Sequence, residues 1–217
     1  MSERNRSTAE GRSVADTTRF PLGLAAAGIV ATGIGLVLSA AGVQWGAAPP
    51  AKDALDLSWI YVNIALAWTW LLVWPAIGLG RGKLGHGALL WDLLVLVVAA
   101  IPAMAVSGFL SSITGRMAGD FAALQLAIAL LAMGMMAWRK RVGAGAIAAV
   151  LATLAVALPV AGYVWAEFFP GASQAWRGFI PVVAVARGAG VGTPFWWIVG
   201  AYAVIGLGLW GTAAREA

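Results

Sequence analysis

Asp92 is the residue best placed to do chemistry, because an ionisable side chain next to a long apolar run is costly to place in a membrane. It lies near the start of a helix predicted over about 89–110, where free backbone N–H groups and the helix dipole favour a carboxylate. Basic residues at Arg81, Lys83 and 139–141 are predicted at the same membrane surface. We expect one of these cations to hold Asp92 in an ion pair. A role in handling protons or substrate is the alternative.

A polar and aromatic stripe runs along another predicted helix, over about 57–79. Its members recur with the 3.6-residue period of a helix and therefore share one face: Asp56, Ile60, Asn63, Ala67, Trp70 and Trp74. Asn63 needs a hydrogen-bond partner inside the membrane, and Gln125 lies at a similar predicted depth. The stripe either joins two helices or lines a pocket for a flat amphipathic small molecule such as a quinone or a vitamin. We favour the first interpretation.

Other residue types that carry chemistry are scarce. The chain has no cysteine and a single histidine, His86, which excludes thiolate metal sites, thiol nucleophiles and a bis-histidine haem. His86 and Ser107 are predicted near opposite membrane surfaces, so they are not expected to form a nucleophile and base. The glycines around His86 do not complete a P-loop. We therefore expect no catalytic residue, no metal and no cofactor.

The segment 168–194, here called the outer segment, is unusually apolar for a connection outside the membrane. Only Arg177 and Arg187 are charged within it. Four large apolar side chains are spaced to share one face of a short helix interrupted near Pro181: Trp176, Phe179, Ile180 and Val183. We expect the outer segment to lie in the membrane interface, to fold back over the bundle as a lid, or to contact a partner protein.

These residues must be positioned by helices that cross a membrane. Of the 217 residues, 61% are hydrophobic and 11% charged, against about 25% charged residues in soluble domains. Six charge-free runs approach or exceed the length of about 20 residues that a helix needs to cross the hydrocarbon core. The predicted spans are 22–45, 57–79, 89–110, 121–138, 145–166 and 195–212. The predicted fold class is therefore all-α, a polytopic bundle of six transmembrane helices.

The distribution of basic residues predicts the orientation and argues against nucleic acid as a partner. Ten Lys and Arg residues fall in the N-terminal tail, the second and fourth connections and the C-terminus, and four in the other three connections. Because basic residues collect in cytoplasmic connections, both termini are expected in the cytoplasm, with a bacterial inner membrane as the location. The net charge of +5 is spread thinly between apolar runs, whereas a nucleic-acid binder gathers its charge on one polar face.

The domain organisation is predicted to be simple. Residues 1–19 are polar and without apolar periodicity, so they are expected to form a disordered cytoplasmic tail. Residues 20–214 are expected to fold as a single membrane domain. A cleavable secretory signal is the alternative for the first span, because Ser39 and Ala41 resemble a small-residue cleavage pattern.

Small side chains spaced four residues apart mark the surfaces where the helices are expected to pack closely. Such rows occur in three spans: Ala27, Ala31, Gly35 and Ser39; Ala99, Ala103 and Ser107; Gly145, Ala149, Thr153, Ala157 and Ala161. Pro75, Pro102 and Pro159 lie inside spans, where a proline removes one backbone donor and can kink a helix. Trp68 and Trp70 lie deep in a span, although indoles prefer the membrane surface. No sequence repeat is evident.

These patterns favour a non-catalytic integral membrane subunit of a larger complex, with the lipid bilayer and other integral membrane subunits as partners. Short connections, small-residue helix faces and the apolar outer segment all suit lateral contact with other proteins. A small-molecule transporter, or its substrate-binding membrane component, is the alternative, with the stripe lining the site and the outer segment as a gate. A membrane enzyme acting on a lipid or an isoprenoid comes third.

Overall fold

The computed structural model describes residues 52–80, 85–110, 113–169, 179–187 and 193–215. Of these described residues 94% are helical and none lies in a strand, which confirms the all-α class. The helices are α1 (Lys52–Trp68), a first π segment (Thr69–Val73), α2 (Trp74–Gly80), α3 (His86–Leu110), α4 (Gly115–Ala137), α5 (Arg139–Val142), α6 (Ala144–Ala152), a second π segment (Thr153–Ala157), α7 (Leu158–Phe168), α8 (Pro181–Arg187) and α9 (Thr193–Ala214).

The described residues contain five helical stretches that are long and apolar enough to cross a membrane. They are Trp59–Gly80, His86–Phe109, Gly115–Ala137, Ala144–Trp165 and Phe195–Ala214. Each corresponds to one of the predicted spans. The tail over 1–19 and the span over 22–45 lie outside the described residues, so the sixth span and the orientation of the termini stay predictions.

The start of α4 differs from its prediction, because the charged residues Arg116 and Asp120 are included in the helix. The side chain of Thr114 accepts a hydrogen bond from the Met117 amide and caps the helix. A threonine cap of this kind satisfies one of the free N–H groups of the first turn. The cap therefore fixes the first turn before the apolar run begins.

Helix α4 lies at the centre of the described bundle and packs most extensively against α9. The two backbones touch at Gly134 and Gly206: a Cβ on Gly134 would overlap the carbonyl of Gly206, and a Cβ on Gly206 would overlap the carbonyl of Leu130. Close backbone approach at small residues is the usual means of helix association in lipid. This contact was not predictable from the sequence, because neither glycine belongs to a row of small residues spaced four apart.

The rows of small residues have different outcomes. In the row on α3, Ser107 is buried and Ala99 and Ala103 are half-buried, so this row faces the bundle. The row that starts at Gly145 is exposed along its whole length among the described residues, from α6 through the second π segment to α7. The row over 27–39 lies outside the described residues. The exposed row does not contribute to packing within the described bundle.

The described part of the outer segment, 179–187, folds back onto the bundle. Helix α8 packs mainly against α1 and also contacts α4 and the second π segment. Ile180 and Val185 are buried and Val183 is half-buried, whereas Phe179 is 60% exposed. The hydroxyl of Tyr202 donates a hydrogen bond to the carbonyl of Phe179, which fixes this chain segment to α9.

Helix α8 begins at Pro181, the position near which the predicted short helix was expected to be interrupted. A proline fits the first turn of a helix, where its missing N–H would have no partner. Phe179 and Ile180 therefore precede the helix and do not share a helical face with Val183. Trp176 lies outside the described residues.

Candidate functional site

A buried chain of hydrogen bonds joins α1, the first π segment and α4. The Gln125 side-chain amide donates to the Asn63 backbone carbonyl at 2.7 Å and to Asn63 Oδ1 at 3.2 Å. The Trp70 indole N–H donates to Gln125 Oε1 at 3.1 Å, and Asn63 Nδ2 donates to the Trp59 carbonyl at 2.9 Å. Gln125 is thus the partner of Asn63, and it also binds Trp70, which accounts for one of the two deep tryptophans.

Aromatic rings extend this polar cluster in both directions along the helix. Trp74 packs edge-on against Trp70, with ring centroids 6.1 Å apart, and Trp59 packs edge-on against Phe121 at 5.4 Å. Trp59 and Trp74 are buried, and neither indole N–H has a hydrogen-bond partner among the described residues. Most buried polar groups are paired, so two unpaired indole donors need an explanation.

The cluster formed by Trp59, Asn63, Trp70, Trp74 and Gln125 is closed in the described conformation. Asn63 and Trp74 have no exposed surface, and Gln125 is 3% exposed. Its side chains are amides and indoles, which ionise at no ordinary pH and supply no nucleophile. The cluster can therefore bind a polar or aromatic molecule, but acid–base or covalent catalysis would need other residues.

Two neighbouring spans are each interrupted by a π segment of the same construction. One is the span that carries the cluster, interrupted at Thr69–Val73, and the other is interrupted at Thr153–Ala157. In each, the N–H of the residue after the segment bonds five residues back, from Trp74 to Thr69 and from Leu158 to Thr153. Each threonine also donates its hydroxyl to the carbonyl four residues earlier, at 2.9 and 2.8 Å. A proline follows the segment in both cases. Such π insertions are rare and frequently occur at functional sites.

The two π segments touch each other. Helix α2, which follows the first π segment, packs against α6, which precedes the second, so the two interrupted helices run antiparallel. The Trp68 indole N–H donates to the backbone carbonyl of Ala155 at 3.1 Å and bridges the two segments. This hydrogen bond accounts for the second deep tryptophan.

Asp92, His86 and Ser107 are all placed on α3. Asp92 is 3% exposed and is not without an interaction partner, while the predicted ion pair with a particular cation stays a prediction. Ser107 donates its hydroxyl to the carbonyls of its own helix at 103 and 104. Since a helix rises 1.5 Å per residue, His86 and Ser107 lie about 30 Å apart, which excludes a hydrogen-bonded pair.

Aromatic and basic residues collect at the end of the bundle that the charge pattern predicts to be cytoplasmic. The Trp138 indole N–H donates to the carbonyl of Leu209 at 2.8 Å, and the Arg141 guanidinium lies 4.6 Å from the Trp138 ring. Partial burial lowers the pKa of Arg139, although a guanidinium stays charged at any ordinary pH. Among the described residues, no group of His, Asp and Glu side chains is arranged to hold a metal ion. The contacts of Trp138 with Leu209 and Arg141 fix the connection between α4 and α6.

No protein-family model, curated protein or solved structure matches the chain.

Proposed function

We propose that the chain is a small-molecule transporter, or the substrate-binding membrane component of one, in a bacterial inner membrane. The observation that carries this proposal is the antiparallel contact between two helices that are interrupted in the same way. In many transporters, substrate sites lie near the middle of the membrane, where interrupted helices from the two halves of the chain meet. A bundle that serves only as a scaffold has no need for two matched interruptions.

The polar cluster supplies the binding surface in this proposal. Its amide groups are already hydrogen-bonded within the cluster, whereas the indole N–H groups of Trp59 and Trp74 find no acceptor in the part of the chain that the structure describes. The two donors lie about 20 Å apart along the helix, so a flat ring that offers a hydrogen-bond acceptor would pair with one of them at a time and stack on the nearest indoles. The substrate class is therefore a flat, uncharged amphipathic molecule with acceptor groups such as carbonyl oxygens.

Helix α8 is positioned to act as the gate. It covers α1 from the predicted outer side and reaches the second π segment, so moving it would uncover the interface between the interrupted helices. Lids of this kind move on microsecond to millisecond timescales and separate a site from water. The described conformation then corresponds to a state closed on the outer side.

The gate is tested by measuring its distance from α1. The chain has no cysteine, so Tyr61→Cys with Phe179→Cys places spin labels only at two exposed positions. In lipid nanodiscs we expect two distance populations for this pair, from closed and open gates. Labels at Leu126 and Val204, exposed on the tightly packed α4 and α9, should give one narrow population. One narrow population for both pairs would contradict the gate.

A non-catalytic integral subunit of a larger membrane complex is the second candidate. The exposed row from Gly145 to Ala161 favours it, because a face of small residues permits another helix to approach closely. Purification in mild detergent followed by mass measurement separates the candidates. Stoichiometric partners released by Ala149→Leu or Ala157→Leu would support the subunit, whereas an isolated chain with a small ligand would support the transporter.

A further inference from the structure

We propose that Trp68 is a latch between the two interrupted helices, in which its indole N–H supplies the hydrogen bond that Pro159 cannot. In the α-helical register that resumes at Leu158, an amide at residue 159 would donate to the carbonyl of residue 155. Proline has no N–H, and its ring crowds that same carbonyl. The indole of Trp68, from the neighbouring helix, donates to the Ala155 carbonyl at 3.1 Å.

The energetic reason for such a contact is the membrane itself. A carbonyl without a donor costs several kcal/mol in hydrocarbon, and proline-containing spans rely on neighbouring helices to supply the missing partner. Ala155 is 1% exposed, so water cannot supply it readily. A donor from another helix satisfies the carbonyl and at the same time fixes the distance between the two helices. Trp68 is therefore a positioning residue that joins the two π segments.

The two interrupted helices share four residue types at the same spacing around this point, although their sequences otherwise differ. Ala65, Thr69, Pro75 and Gly78 in the first correspond in order and spacing to Ala149, Thr153, Pro159 and Gly162 in the second. Both threonines bond to the corresponding alanine carbonyl, and both prolines follow directly after the residue that closes the π segment. The shared pattern and the antiparallel contact are those of two inverted structural units that meet at the π segments.

Only the first of the two units supplies an indole donor at this position. The position in the second unit that corresponds to Trp68 is Ala152, which has no side-chain donor. The carbonyl of Leu71, which the same spacing places before Pro75, therefore receives no equivalent indole from the second unit. Trp68 is 46% exposed, so packing surrounds only part of its side chain. The Trp68 hydrogen bond is therefore added to the packing of the two helices and fixes their relative position at this point.

A double-mutant cycle tests the latch directly. Trp68→Phe removes the N–H, and Pro159→Ala restores a backbone amide that can donate to Ala155. We expect Trp68→Phe to lower the Tm clearly in the parent protein but less than half as much in the Pro159→Ala background, because the carbonyl is then satisfied. Trp197→Phe, at a position that is 74% exposed, should have the same small effect in both backgrounds. Equal losses for Trp68→Phe in both backgrounds would overturn the latch.

A second variant covers the case in which Pro159→Ala does not fold. Replacing Trp68 by benzothienylalanine keeps the shape of the ring but removes the N–H. Spin labels at Ile77 and Val150, exposed on α2 and α6, report the distance between the two units, and we expect this isostere to broaden or shift that distribution. An unchanged distribution would overturn the latch.

The latch does not depend on transport. Only the idea that its release also moves α8 rests on the proposed function. The label pair at Tyr61 on α1 and at Phe179, just before α8, tests that idea separately.

Discussion

Gly206→Ala is expected to destabilise the bundle, although alanine is the better helix former. The added methyl group would overlap the Leu130 carbonyl and lie 2.6 Å from the Leu131 amide nitrogen. Backbone atoms cannot rotate away as a side chain can, so α4 and α9 must separate and lose contacts along their interface. We expect a loss of at least about 2 kcal/mol, the middle of the range for overpacked cores. Thermal unfolding in mild detergent measures it.

Gly208→Ala is the matched control for this prediction. Gly208 lies two residues further along the same helix, and a Cβ there would meet nothing within 4 Å. An alanine in that open position should be neutral or stabilise the helix by up to about 1 kcal/mol. The two substitutions should therefore shift the Tm in opposite directions or by very different amounts. If Gly206→Ala were as stable as Gly208→Ala, the close contact of α4 with α9 would be wrong.

Gln125→Leu is expected to have the second-largest effect, because it removes three hydrogen bonds at once. The leucine has a similar volume, but the Trp70 indole N–H and Asn63 Oδ1 lose their partner in a dry interior. Each unpaired buried group costs about 1–3 kcal/mol, while interhelical hydrogen bonds in membranes average about 0.6 kcal/mol. We therefore expect a net loss of about 2 kcal/mol, measured by thermal unfolding.

The control for Gln125→Leu is Thr153→Val, which also replaces a polar group with a similar apolar one. Within the described residues the Thr153 hydroxyl bonds only to its own helix, at 2.8 Å, and the residue is exposed, so its loss should have little effect. Equal stabilities for the two variants would mean that Gln125 does not hold α4 to α1. The polar cluster would then not be a unit.

The spans and the polar stripe were predictable because each rests on one simple pattern within a single helix. Long charge-free runs identify helices that can cross a membrane, and the 3.6-residue period places Asn63 and Trp70 on one face. The pairing of Asn63 with Gln125 followed from their similar depth, since an amide in lipid needs a partner. The structure brings these residues into contact, whereas their part in binding a ligand stays a prediction.

Other features could not be predicted because they depend on how two helices meet. The contact of Gly134 with Gly206 involves one glycine from each helix, and neither carries a pattern of its own. The hydrogen bond from Trp68 to Ala155 joins residues far apart in the chain. The threonine and proline that the two interrupted helices share were visible in the sequence, but only the structure shows that a π segment lies between them in both helices. Sequence patterns report the faces of single helices, whereas contacts between helices require their relative positions.

Access of water to the polar cluster is the most direct test of the proposed transport. Ala67 lies on the stripe with Asn63 and has no exposed surface in the closed conformation. In sealed vesicles, a membrane-impermeant thiol reagent should label Ala67→Cys slowly but measurably from each side, because a transporter opens its site alternately to the two sides. Ala132→Cys, equally buried in the core of α4, should remain unlabelled, and Gly85→Cys, exposed at a helix end, should react at once from one side only. If Ala67→Cys remained as unreactive as Ala132→Cys from both sides, the cluster would be a static helix contact, and the transport proposal would be contradicted.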